Sequence, residues 1–312
     1  MRLSTAYAYN QSITNLQDRQ QELSRSQTQL TSGKRVNAAS DDPTAAARAE
    51  RALASIARND TDKRALDASR NAMGIAESAL GDAADLLQSA RETMVAAGNG
   101  TYSDGEREAL AKKLVEIRKQ LLSIANRPDG SGGYVFGGQG LSTTPFTEVS
   151  NTAPGTVTFN GQRGSIQASS SEQVSLTIDG QRTWMQGRDE AGNLVNVNVF
   201  DAMTTAIDGL RMSNPTSTDI TNTVTNGLGD IDKVLGNMQS ARAEVGEALN
   251  RMDGIESRIG TLKLAAQSEQ SNAEDLDMVE AISNFQGQQT GYDAALRSYA
   301  AVQKLSLFQY IS

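Results

Sequence analysis

Carboxylates are the main side chains in this sequence that could carry acid–base chemistry: 37 Asp and Glu stand beside no His and no Cys. A pair of them could act as general acid and base, but they are scattered with no telling spacing. Without His there is no Ser-His-Asp triad, no His-Glu-x-x-His zinc site and no imidazole proton shuttle. Without Cys there is no thiol nucleophile and no disulfide framework. The sequence therefore predicts no catalytic residue, no cofactor and no metal centre. One charge cluster has a spacing of its own: Lys34-Arg35 followed by Asp41-Asp42-Pro43. Those types suit ion pairing and the start of a helix, not bond chemistry.

Composition narrows the partners. A formal net charge of −8 argues against nucleic acid, which needs a clustered basic surface. No apolar run approaches the ~20 residues that span a bilayer, so no membrane insertion is expected. The start, Met1-Arg2-Leu3-Ser4-Thr5, has no apolar stretch resembling a signal peptide. The expectation is a soluble chain, exported, if at all, without a cleaved signal. Aromatic residues make up 4%, a composition better suited to packing long helices than to filling a wide core.

The elements follow from periodicity. Ala6, Tyr9, Ile13, Leu16, Leu23 and Leu30 form a heptad seam interrupted by Gln20 and Gln27. Thirty helical residues extend roughly 45 Å. The polar interruptions weaken the seam, so both chain ends are expected to be mobile alone and to order on assembly. Near the other end Tyr292, Leu296 and Tyr299 form a similar stripe, with Leu305, Leu307 and Phe308 closing the chain. The first helix stops at Thr31-Ser32-Gly33. A second starts at Asp42-Pro43 and runs to about Ala97, and a third follows the Ser103–Glu106 capping box. From about Gly130 to Asn196 alternation replaces helical spacing. Thr156–Phe159 before Asn160-Gly161, and Val174–Ile178 before Asp179-Gly180, each predict a strand feeding a tight hairpin turn. Trp184 is expected in the core of this insert, with Tyr134 and Phe136 packing at its junction. A helix over 199–212 and a long one over 219–309, with local breaks, complete the chain.

The predicted fold is mainly α with a β-rich insert: a rod of long helices paired from both chain ends, with a small projecting β domain. The expected segments are 1–42 and 266–312 (coiled coil), 43–140 and 197–265 (helical rod), and 141–196 (insert).

The segment Leu30-Thr31-Ser32-Gly33-Lys34-Arg35-Val36-Asn37, followed by Ser40-Asp41-Asp42-Pro43, resembles the N-terminal signature of flagellins and hook-associated proteins. Within that group, Thr101–Asp104, Leu121–Asn126, Gly133-Tyr134-Val135-Phe136-Gly137-Gly138, Thr144-Pro145-Phe146 and the ending Leu305–Tyr310 are similar to the hook-associated protein 3 branch. The resemblance covers about 1–146 and 275–312. It implies a flagellin-like fold and a structural subunit outside the cell. That subunit would form a layer between the first hook-associated protein, on the hook, and the flagellin filament. It also implies export through the flagellar type III apparatus and a dedicated export chaperone. On this reading Tyr9, Ile13, Leu16, Leu23, Leu30, Tyr292, Leu296, Tyr299, Leu305, Leu307 and Phe308 pack between helices of one or several identical subunits. Gly33, Lys34, Arg35, Asp41, Asp42 and Pro43 form the linker, with Lys34 and Arg35 pairing with acids of a neighbour. The competing reading is a minor flagellin, against which the Tyr134–Gly138 run and the Phe308 ending argue.

Overall fold

The structure, a computed structural model, describes residues 2–140, 143–149, 154–168 and 173–311, with backbone only for residues 2–6, 8 and 302–311. Among these the elements are α1 (Arg2–Ser32), α2 (Pro43–Ala97), α3 (Asp104–Ala125), β1 (Phe146–Val149), β2 (Thr156–Phe159), α4 (Gly180–Trp184), β3 (Gly187–Arg188), β4 (Leu194–Val195), α5 (Val199–Leu210), α6 (Ser217–Glu274) and α7 (Met278–Ile311). The mainly helical class with a β-rich insert is as expected.

Local chemistry sets the helix ends. Asp42 caps α2 by accepting the main-chain N–H groups of Thr44 and Ala45 at 3.1 and 3.0 Å. The capping box at Ser103 and Glu106 starts α3 as predicted. Thr216 and Asp219 make an equivalent reciprocal pair at the head of α6. The expected long C-terminal helix is broken once, between Glu274 and Met278. Asp277 accepts from Val279 and Glu280 N–H at 3.0 and 3.1 Å, which caps a new helix and ends the old one.

The insert departs from the hairpins expected of it. β2 is a strand over the predicted residues, but it pairs antiparallel with the upstream β1, Phe146 opposite Phe159 and Val149 opposite Thr156. Asn160-Gly161 does not close a hairpin: the next residue, Gln162, bridges in parallel to Gly138 and accepts from Gln139 N–H at 3.1 Å. Likewise 174–178 is not a regular strand; it bridges back to 166–168 through Leu176 N–H to Ile166 at 2.8 Å. Asp179-Gly180 is not a hairpin turn but the N-cap and first residue of α4. An Asx-Gly pair serves either purpose, and only the tertiary partners of the next residues decide which.

Compact packing divides the chain into residues 1–59 with 261–312, and residues 60–260; α2 and α6 each contribute to both units. The expected segment boundaries at 42/43, 140/141 and 196/197 fall between elements and that at 265/266 falls within α6, whereas these units cut α2 at 59/60 and α6 at 260/261. In the 60–260 unit the core runs along α2, α3, α5 and α6 and continues into the insert. Trp184 is fully buried as expected, edge-on to Phe136 (5.3 Å between ring centroids) and stacked on Phe200 of α5 (6.2 Å). The insert therefore has no separate core: its largest side chain packs on a helix outside it. Within this unit Lys63–Glu256, Arg70–Asp253, Glu77–Arg242 and Arg91–Asp232 ion pairs register α2 against an antiparallel α6.

In the unit formed by both ends, α1 packs against α7 and the start of α2 against the end of α6, with Arg48 paired to Glu269 at 2.8 Å. Its buried apolar residues, among those described, are Val36 and a series of alanines: Ala45, Ala49, Ala52, Ala266 and Ala273.

Candidate assembly site

The linker between α1 and α2 lies beside the break between α6 and α7. Gly33 ends α1 in a left-handed conformation (φ 71°), its N–H donating to the Gln29 carbonyl at 2.9 Å. The chain then runs antiparallel to the break. The Gly33 carbonyl accepts from Leu276 N–H at 3.0 Å, and the Glu274 carbonyl accepts from Arg35 N–H at 2.7 Å. Helix ends that would expose unpaired carbonyls to each other thus satisfy one another.

Charge chemistry reinforces this staple. Lys34 pairs with Glu274 at 2.9 Å, and Glu274 is the one buried acid among the described residues. Arg35 reaches Asp42 at 3.2 Å and donates to the Ala273 carbonyl at 2.8 Å. Asp41 accepts from Asn37 and Ala38 N–H at 3.1 and 3.0 Å and pairs with Arg25 at 3.1 Å. These bonds have an electrostatic consequence. The N–H of Ala38, then that of Asn37, holds the Asp41 carboxyl below its ordinary value. The N–H of Ala45, then Arg35, does the same for Asp42. Lys34 and Arg35 each have an acidic partner inside the chain, Glu274 beside the α6–α7 break and Asp42 at the head of α2. Pro43 takes the first helical position of α2.

The seam residues are brought together only in part. Tyr9 and Tyr299 meet, Oη to Oη at 2.7 Å with centroids 5.7 Å apart. Ser26 donates to Gln288 at 2.7 Å farther along the same pair. Ile13, Leu16, Leu23, Leu30, Tyr292 and Tyr299 are half-buried, while Tyr9 and Leu296 are 42% and 41% exposed. The side chains of Leu305, Leu307 and Phe308 lie outside the described residues.

Sequence reasoning missed the other half of this surface. Met278, Val279 and Ile282, in the first turns of α7, are exposed, Val279 by 82%; Leu262 and Leu264 on α6 are exposed as well. It also missed Glu274 as the partner of Lys34. A signal for the break was present: Asp277 followed three residues later by Glu280 is the acidic form of a capping box. The residues expected at the insert junction have clear places. Phe136 is buried, and Tyr134 is half-buried with its hydroxyl 3.5 Å from that of Thr144. Gly138 adopts φ 68° where the chain passes the Gln162 carbonyl.

Among the described residues, no group of three or more Asp or Glu is placed to hold a metal, and no helix is long and apolar enough to cross a membrane. The arrangement presents helices with apolar faces left open, joined through a stapled linker.

Comparison with known proteins agrees with that arrangement. The bacterial flagellin N-terminal helical region matches residues 3–140, and the bacterial flagellin C-terminal helical region matches residues 228–311. Flagellar hook-associated protein 3 of Escherichia coli strain K12 is 31% identical over 317 residues, covering 99% of both chains. That of Salmonella typhimurium is 29% identical, with 99% of both covered. A putative flagellar hook-associated protein from Vibrio parahaemolyticus shares the fold, with a TM-score of 0.65 at 19% identity over 75% of this chain and 100% of that one. On the full-length similarity, the chain belongs to the hook-associated protein 3 family of flagellin-type proteins.

Proposed function

We propose that this chain is a structural adaptor subunit of the bacterial flagellum. It forms the junction layer between the hook, through the first hook-associated protein, and the flagellin filament. The observation that carries this reading is the contrast within the unit of both chain ends. Among the described residues, its buried apolar side chains are nearly all alanines, while Tyr7, Leu264, Met278 and Val279 are exposed. Burying a large apolar side chain gains about 1.5–3 kcal/mol, a gain that neighbouring copies would supply by covering these residues.

The seam residues Tyr9, Ile13, Leu16, Leu23, Leu30, Tyr292, Leu296, Tyr299, Leu305, Leu307 and Phe308 then pack between helices of one or several identical subunits. Flagellin and the first hook-associated protein lie on opposite sides of the layer. Export runs through the flagellar type III apparatus without a cleaved signal, with a chaperone holding the C-terminal region. The role is mechanical and needs no bond chemistry.

Electron microscopy of a deletion strain tests this. The expected phenotype is hooks without filaments and flagellin shed into the medium. Normal filaments on such a strain would instead favour a minor flagellin.

A further inference from the structure

Tyr9 of α1 and Tyr299 of α7 meet through their phenol hydroxyls, and that contact suits a chemistry besides packing. The Tyr299 hydroxyl donates to the Tyr9 oxygen at 2.7 Å. The ring centroids are 5.7 Å apart, with the planes tilted by 36°. The ortho carbons of each ring, two bonds from its oxygen, are therefore gathered around one point of contact. These are the carbons on which a phenoxyl radical carries its unpaired spin. Coupling of two such radicals is otherwise a bimolecular event, and holding the rings together makes it intramolecular.

The surroundings favour the same outcome. Tyr9 is 42% exposed, so a diffusing oxidant reaches the pair. Competing sinks for a radical are few. The chain has no Cys, and its one Trp, Trp184, is fully buried in the 60–260 unit.

We propose that Tyr9 and Tyr299 form a dityrosine site, at which a one-electron oxidant joins the two end helices covalently. Each phenol gives up one electron and its hydroxyl proton. The two phenoxyl radicals combine, forming a carbon–carbon bond between one ortho carbon of each ring. The hydrogen on each of those carbons then moves to oxygen, which restores both phenols. The product has lost two hydrogens overall: the protons go to water and the electrons to the oxidant. This goes beyond the assembly role and does not depend on it, since the substrate is the free chain, before any neighbour covers the seam. The new bond keeps α1 from separating from α7.

The test is photo-oxidation of the dilute full chain by a ruthenium tris-bipyridyl complex with persulfate, followed by trypsin and mass spectrometry of the monomer band. The expected product joins residues 3–19 to residues 298–304, two hydrogens lighter than the separate peptides together, with the fluorescence of dityrosine. Tyr7 lies in the same peptide as Tyr9 and is 73% exposed, so Tyr7→Phe should keep the product, while Tyr9→Phe and Tyr299→Phe should each lower it about tenfold or more. Unfolding the wild-type chain in urea before illumination should lower the yield to the same degree. Absence of the joined peptide from the wild-type monomer, an undiminished yield in Tyr9→Phe, or equal yields with and without urea would overturn the proposal. The urea comparison needs no variant, so it decides if a Phe variant does not fold, as judged by circular dichroism.

Discussion

The Arg35 guanidinium donates to the main-chain carbonyl of Ala273 at 2.8 Å, joining positions 238 residues apart in sequence. The carbonyl belongs to the last turn of α6, where carbonyls lack helical partners and a cation is favoured. The same guanidinium reaches Asp42, the cap of α2. One side chain thus ties the end of one helix to the start of another.

Replacing Arg35 with Ala should cost about 1–2 kcal/mol in urea unfolding, the lower part of the range for a charged hydrogen bond because the side chain is half exposed. Arg35→Glu should cost more, since it places an anion at a helix C-terminus beside Asp42. Both partners lie in the same chain, so monomer stability and assembly should fall together. An unchanged urea midpoint with lost assembly would instead place the important partner of Arg35 in a neighbour.

Gly33 and Gly138 both have positive φ, 71° and 68°, yet they should respond very differently to substitution. A Cβ at Gly33 meets nothing within 4 Å, so Gly33→Ala carries only the left-handed backbone cost of about 1–2 kcal/mol. A Cβ at Gly138 would sit 1.7 Å from the Gln162 carbonyl oxygen, a clash of backbone with backbone. Gly138→Ala should cost more than about 4 kcal/mol or prevent folding of the 60–260 unit. Parallel urea titrations check the contrast, and equal losses would refute it.

Arg118 on α3 is buried and bridges three pieces of chain. It pairs with Glu148 on β1 at 2.7 Å, donates to the Gly155 carbonyl, and lies with its Cζ 6.0 Å from the ring centroid of Phe200 on α5. Arg118→Met keeps much of the volume and removes the donors. It should destabilise by about 2–3 kcal/mol, with hydrogen exchange at residues 146–149 and 156–159 rising first. A change confined to α3 would contradict this.

Glu256 gives the clearest pH dependence. Hydrogen bonds from Lys63 and then Arg70, with their charges, lower its carboxyl from 4.5 to about 2. A depressed folded value means the stabilisation is complete above about pH 4.5 and is lost as the pH falls through about 2. Wild type should therefore exceed Glu256→Gln in urea midpoint at neutral pH, with the gap closing over that window. A gap independent of pH would rule out the ion pair as its source.

Val279 is 82% exposed in the first turn of α7. An acid there complements the helix dipole, so Val279→Asp should leave monomer stability within about 0.5 kcal/mol. If this face is covered by neighbours in the junction, the same change should impair assembly, seen as filament loss in cells. Normal filaments would show that the face stays open to solvent.

Much of the architecture was legible in the sequence because its signals are local. Heptad spacing announced α1, Asp42-Pro43 the start of α2, and Ser103 with Glu106 the start of α3; each depends only on residues within a turn or two. The motif residues 30–43 and 134–138 carried the family resemblance without any geometry. What required the tertiary structure was pairing over distance. Nothing near Lys34 in sequence points to Glu274, and nothing near Thr156 says that its strand pairs upstream with Phe146–Val149. Asp179-Gly180 is compatible with a turn or a helix cap, and its choice depended on packing of Trp184 against Phe136 and Phe200. Local free energies of a few tenths to about 1 kcal/mol bias each element, but contacts between remote segments decide among the alternatives those biases leave open.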